Sequence, residues 1–234
     1  MTTTNNELRI RPATDTDAAP LIAVLAEAFH AGPLAEWLIP DPGDRRAVYY
    51  RYFADAFYQG LARGQVYTTG DQTAVTIWYP RLAPAPTDNP RRVEELEGIA
   101  GAYAPKFVLL EEMFDAFHPD QPHHYLAYAA VDPRRQNQGI GTALLTDYHR
   151  RLDQLGLPAY LEASNLHNRR LYLRHGYTAG PTIVLPTAGP PIWRMWRGAP
   201  TDSGRTPFPP TRPRRRSCDR RPRDHHTDPA RTGR

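Results

Sequence analysis

Apolar and polar positions alternate from Leu8 to Arg11, ahead of Pro12, which predicts a short strand. Ala13-Thr14-Asp15-Thr16-Asp17 then supplies N-cap residues for a helix over Ala18 to Phe29. Pro33, Pro40 and Pro42 interrupt the next stretch. Beyond them Val48, Tyr52, Phe53, Phe57 and Leu61 recur at helical spacing within Asp44 to Leu61. Val66 to Thr69 and Thr73 to Tyr79 are rich in strand-forming residues and flank Gly70-Asp71-Gln72, the composition of a hairpin turn.

After a proline-rich connection from Pro80 to Pro90, a helix is predicted over Arg91 to Phe117, with a break or kink at Pro105. His123 to Val131 reads as a strand ending at Asp132-Pro133. Gly139 to Leu155 places Ile140, Ala143, Leu144, Tyr148, Leu152 and Leu155 on one helical face. A strand over Pro158 to Ala163, a short helix over Asn165 to His175, and strands over Tyr177 to Val184 and Ile192 to Trp196 complete the pattern. The order β-α-α-β-β-α-β-α-β-α-β-β predicts an α/β fold built on a single mixed β-sheet. No repeat of 20 to 50 residues is present, which excludes solenoids and propellers.

Charge changes the picture at the C-terminal end. Of 29 basic and 25 acidic residues, ten arginines and four aspartates fall within 201–234, leaving 19 basic and 21 acidic in residues 1–200. The overall charge of +4 therefore belongs to the tail, and the core sequence carries −2. With six prolines and one phenylalanine, the tail buries too little apolar surface to offset its ordering entropy. Residues 1–7 are expected to be flexible, 8–198 to form the domain and 199–234 to be disordered. The tail's arginines raise binding to nucleic acid as a subsidiary expectation. A mean hydropathy of −0.62 and the lack of a long apolar run argue against a membrane span, and the N-terminal residues lack a signal-peptide pattern; a cytoplasmic location is expected. Cys218, the single cysteine, can form no intramolecular disulfide.

Candidate chemistry concentrates in Val131-Asp-Pro-Arg-Arg-Gln136-Asn137-Gln138-Gly139-Ile140-Gly141-Thr142. A strand, a polar loop and a helix start here place backbone N–H groups and the positive end of a helix dipole together, which suits a pyrophosphate. No GxxxxGK[ST] loop is present, and the third glycine of the dinucleotide fingerprint is missing. A second strand-loop-helix, from Leu161-Glu162-Ala163-Ser164-Asn165 to Gly176-Tyr177, puts Asn168 and Tyr172 four residues apart on one helix face. His118, His123 and His124 lack the further ligands of a defined set, so no metal is expected. Tyr49, Tyr50, Tyr52, Phe53, Phe57 and Tyr58 read mostly as core, with those nearest Pro33 to Pro42 able to shape an aromatic pocket.

These two segments resemble the GNAT superfamily of acyl-CoA-dependent N-acetyltransferases, whose cofactor motif is Gln or Arg, two residues, Gly, one residue, then Gly or Ala. Gln136, Gly139 and Gly141 fit it, and Asn168, Tyr172, Gly176 and Tyr177 fit the family's later segment. Ala28-Phe29, Pro33, Pro40-Asp41-Pro42, His118 to Leu126 and Leu161 to Ser164 look most like the puromycin N-acetyltransferase group. The resemblance implies a central sheet with splayed parallel strands. It implies acetyl-CoA as co-substrate, with Ala129, Ala130 and Val131 as the edge for its pantetheine arm. Gln136, Asn137, Gln138, Gly139, Ile140, Gly141 and Thr142 would hold its pyrophosphate, and Asn165 or Asn168 the pantetheine. Tyr172 would be the general acid, and Glu112 or Glu162 the base. Gln136 stands where arginine is commoner, which predicts weaker cofactor binding unless Arg134 and Arg135 compensate.

The implied activity is acetyl transfer to a primary amine of a small molecule, an antibiotic or other natural product. A protein or peptide amine is an alternative acceptor. A non-catalytic acyl-CoA-binding module with a nucleic-acid-binding tail is a second alternative. Either a monomer or a homodimer is compatible with the sequence.

Overall fold

In the computed structural model, residues 8–83, 91–200 and Phe208 are described. Seven strands form one mixed sheet in the order β1-β2-β3-β4-β5-β7-β6. The strands are β1 (Ile10–Pro12), β2 (Gln65–Thr69), β3 (Ala74–Arg81), β4 (His123–Val131), β5 (Ala159–Ala163), β6 (Thr178–Val184) and β7 (Pro191–Arg197). Pro12 is accommodated because β1 is an edge strand. The helices are α1 (Ala18–Phe29), α2 (Pro33–Leu38), α3 (Pro42–Arg63), α4 (Arg92–Ala100), α5 (Ala104–Phe117), α6 (Ile140–Leu155) and α7 (Leu166–Arg174).

Two differences from the sequence pattern have local causes. Pro33 and Pro42 begin helices, each at a first-turn position where the missing N–H costs nothing, and Asp41 Oδ1 accepts from the backbone N–H of Gly43 (2.8 Å) and Asp44 (2.9 Å). The break before α5 lies at Gly101, whose φ of 55° is left-handed, and Pro105 sits in the first turn of the helix that follows. α6 ends at Gly156, also left-handed, with the Leu157 N–H reaching back to Leu152 O (3.0 Å). The expected flexible N-terminus lies outside the described residues, as does the expected tail apart from Ala199, Pro200 and Phe208.

The sheet separates two cores. On one face α1 to α5 pack Leu21, Leu25, Phe53, Phe57, Leu96 and Phe107 against Val75 and Ile77 of β3. On the other, Leu145, Tyr148 and Leu152 of α6 and Tyr172 of α7 pack on Trp78, Leu126 and Leu161. Strands β4 and β5 are the parallel pair, and they pair only at His124↔Ala159 and Tyr125↔Tyr160. A register shift between β3 and β4 leaves Ala127 without a partner position between Leu126 and Tyr128. Past that bulge the two strands diverge, so alternate N–H and C=O groups of β4 face a gap instead of β5.

Candidate active site

A cleft of about 660 Å³ opens where β4 and β5 diverge, running from the α6–α7 side to the α1–α2 side. Ala129, Ala130 and Val131 form its β4 wall. The loop after them is closed by two local contacts: Asp132 accepts from the Arg134 N–H (2.9 Å), and the Gln136 side-chain amide donates to Val131 O (3.2 Å). Asn137 (φ 61°) and Gly139 (φ 81°) both take left-handed conformations, turning the chain into α6. The first intrahelical bond of α6 runs from the Ala143 N–H to Gly139 O (2.9 Å), so the N–H groups before it have no carbonyl within the helix.

Gln136, Asn137, Gly139, Ile140, Gly141 and Thr142 all line the cleft, whereas Gln138 does not. A Cβ on Gly141 would make ordinary contacts with Val131 (3.6 Å) and Leu171 (3.9 Å), both cleft residues. The glycine therefore keeps the cradle open rather than relieving a clash in the fold. These features fit an acyl-CoA: unpaired strand groups for an extended amide-bearing arm, and a helix N-terminus for phosphate. The two loop arginines differ. Arg134 is exposed and paired with Asp132 (2.7 Å), while Arg135 lines the cleft near Asp71 (3.4 Å).

Asn165 and Asn168 line the opposite wall with Tyr172. The Asn165 side-chain oxygen caps α7 by accepting from the Asn168 N–H (2.8 Å), which leaves its amide hydrogens for the cleft. Tyr172 is buried, and that burial raises its phenol well above the ordinary value near 10. Its ring lies against Tyr177 (5.7 Å), whose hydroxyl meets His149 Nε2 at 3.0 Å.

The two carboxylates expected as base candidates occupy different environments. Glu112 is exposed on α5 and does not line the cleft. Glu162 also lies off the cleft lining, yet it follows the last paired position of β5 by two residues and belongs to the sheet face opposite Leu161 and Ala163. Burial pushes its carboxyl up to about 7, against the hydroxyls of Tyr160 and Tyr125 and the guanidinium of Arg194, which favour its ionised form.

Several further residues line the cleft. Glu27, Phe29, Leu34 and Tyr49 line the α1–α2 end, and Arg135, His167 and Arg174 the cofactor end; of these Glu27, Leu34, His167 and Arg174 carry no sequence motif. Tyr52, Phe53 and Phe57 are core, while Tyr50 and Tyr58 are exposed. Buried Arg45 donates to Ile39 O (2.8 Å), His30 O (2.9 Å) and Pro40 O (3.1 Å), pinning the loops that carry the α1–α2 wall. Helical spacing places Arg45 one turn from Tyr49, but only the fold reveals the carbonyls it reaches. Among the described residues no cluster of three or more His, Cys, Asp or Glu is placed to hold a metal ion.

A mixed sheet whose one parallel pair splays around a cleft, with a glycine-opened helix start on one side, defines the GNAT fold and the class of acyltransferases built on it. Residues 94–177 match the family model described as Acetyltransferase (GNAT) family, and the chain carries the fold of those acyltransferases. An uncharacterized N-acetyltransferase of Schizosaccharomyces pombe is 27% identical over 184 residues, 70% of this chain and 71% of the relative. A Corynebacterium glutamicum structure described as histone acetyltransferase HPA2 and related acetyltransferase is 27% identical, covering 83% of this chain and 97% of its own with a TM-score of 0.64. Arylalkylamine N-acetyltransferase 2 from Aedes aegypti shares the fold at 15% identity and a TM-score of 0.56, over 81% and 98% of the two chains.

Proposed function

We propose that the protein transfers an acetyl group from acetyl-CoA to a primary amine of a small molecule, with Tyr172 as the acid and Glu162 as the base. The observation that carries this reading is the divergence of β4 and β5 into a cleft that joins the α6 N-terminus to an aromatic recess. Acetyl-CoA supplies the activated acyl thioester. Ala129 to Val131 would hold its pantetheine by strand-like pairing, the α6 N-terminus its pyrophosphate, and Asn165 and Asn168 its amides.

At the other end, Phe29, Leu34 and Tyr49 offer apolar surface to the acceptor, and Glu27 offers a carboxylate to a cationic group. This favours a compact amine over a protein tail, for which an open acidic groove would be the better fit. Ala28-Phe29 and Pro33, among the stretches that resemble the puromycin N-acetyltransferase group, wall this recess, so aminonucleosides belong in the acceptor panel.

An aliphatic amine has a pKa near 10 and must lose a proton before it attacks. Glu162, held at about 7, is a stronger base than an ordinary carboxylate and takes that proton by way of a water at the apex of the cleft. Backbone N–H groups of β4 polarise the carbonyl under attack. Tyr172 keeps its proton throughout the neutral range and donates it as charge builds on the departing sulfur. Thiol release from acetyl-CoA, measured with aminonucleosides, arylalkylamines, polyamines and lysine peptides, tests the reading. Turnover with a small amine supports it; turnover with peptides alone would transfer the acceptor to the protein class.

A further inference from the structure

Phe208 lies beyond the last strand, yet it has a seat prepared for it on the sheet. A Cβ placed on Gly180 would fall 2.2 to 2.4 Å from three atoms of the Phe208 ring, so only a glycine there leaves room for it. Gly180 and Pro181 are the unpaired residues of the β6–β7 register shift, which opens this place in the edge. The same ring lies 5.2 Å from the guanidinium of Arg194, which also faces the ring of Phe117 at 5.7 Å.

Arg194 stands directly opposite Glu162 in the β5–β7 register. It is 3% exposed, and its Nε and Nη1 atoms have no hydrogen-bond partner among the described residues. Two aromatic faces therefore supply much of what holds this buried cation. Glu162 Oε1 is likewise buried without a hydrogen-bond partner among the described residues, and Arg194 is among the groups that favour the ionised carboxyl.

We propose that Phe208 is a positioning residue: seated on Gly180, it holds Arg194 across from Glu162 and so sets the ionisation of the base, tying the C-terminal segment to the reaction. The proposal rests on Glu162 as base only for its catalytic consequence. The groups facing Glu162 are Tyr160 on its own strand, Tyr125 on β4, Arg194 on β7 and Asp115 on α5. Of these, only Arg194 is touched by Phe208, and it is the group that favours the carboxylate. Releasing Phe208 frees Arg194 to turn toward water, weakens its field at Glu162 and raises the carboxyl's proton affinity.

The test is a carbon NMR titration of the Glu162 carboxyl in the full-length chain, with Phe208→Ala and Gly180→Ala, alongside the pH profile of kcat/KM. Gly180 has no left-handed φ, so alanine there acts by expelling the ring. Both variants should raise the midpoint by about half a unit to one unit, lowering kcat/KM at pH 6 about three- to tenfold. The double variant should add nothing further, and Phe208→Tyr should titrate like the parent. Unchanged midpoints in both folded single variants, or shifts that simply add, would overturn the proposal. If the midpoint moves while Glu162→Gln leaves turnover intact, Phe208 holds Arg194 as proposed and the base lies elsewhere.

Discussion

Burial raises the proton affinity of both Tyr172 and Glu162, with different consequences at neutral pH. The phenol is buried and holds its proton; the carboxyl is buried and titrates near neutrality. Replacing Tyr172 with Phe should lower kcat about a hundredfold, the usual scale of a lost acid, with little change in the KM for acetyl-CoA. Glu162→Gln should reduce kcat/KM similarly and remove the limb near pH 7, whereas Glu112→Gln should leave the profile in place; steady-state rates from pH 5.5 to 9 check both. Gly141→Val should fold normally but fill the cradle, weakening acetyl-CoA binding about tenfold, or about 1.4 kcal/mol, by calorimetry. At this scale the loop from Gln136 to Thr142 was readable because anion-binding backbone has a glycine signature. The choice between Glu112 and Glu162 was not, since burial depends on what packs from other elements.

Elements are positioned by a few buried polar contacts that local patterning does not reveal. Arg92 bridges three helices, pairing with Asp55 on α3 and doubly with Glu111 on α5, all at 2.8 to 2.9 Å. Arg45 does the same for the loops around α2, and Arg45→Ala would leave three carbonyls without their donor. A loss of about 2 to 4 kcal/mol is expected from denaturant unfolding, with the KM for the amine rising more than that for acetyl-CoA. At the start of β4, His123 Nδ1 donates to Gln121 O (2.6 Å), so its Nε2 accepts from His118 Nε2 at 3.0 Å. This pairing requires the accepting ring, His123, to be neutral, and burial lowers the proton affinity of both rings. Below about pH 6.5 the unfolded chain binds more protons than the folded one, so stability falls as pH drops toward 4, by up to roughly 1.4 kcal/mol per unit for each histidine. Thermal unfolding followed from pH 7 to pH 4 checks this, with His118→Asn flattening the slope. Helices α3 and α6 were legible from periodicity, and α1 from the capping residues that precede it. The six-residue α2 was not, because its flanking prolines also read as chain breaks.

Across the whole molecule, one strand pair decides the function. β4 and β5 share two paired positions and then part, and the cleft lined by Ala129 to Val131, the α6 N-terminus and Tyr172 opens there. The strands themselves were visible as short β-rich runs, while their parallel pairing entered with the family resemblance. Their divergence was foreshadowed only through the family resemblance, because a splay arises from a bulge at Ala127 and the packing on both faces, neither of which has a local signature. The charge division is likewise a property of the whole chain: the core sequence carries the negative balance, and ten arginines against four aspartates beyond residue 200 carry the positive one. The central claim is that the cleft performs acetyl transfer through Tyr172. Acceptor-dependent release of the CoA thiol by the parent protein and by Tyr172→Phe tests it most directly. The account predicts turnover with a small primary amine, falling about a hundredfold in the variant while acetyl-CoA still binds. Equal turnover in the two proteins, or no binding of acetyl-CoA to either, would contradict it.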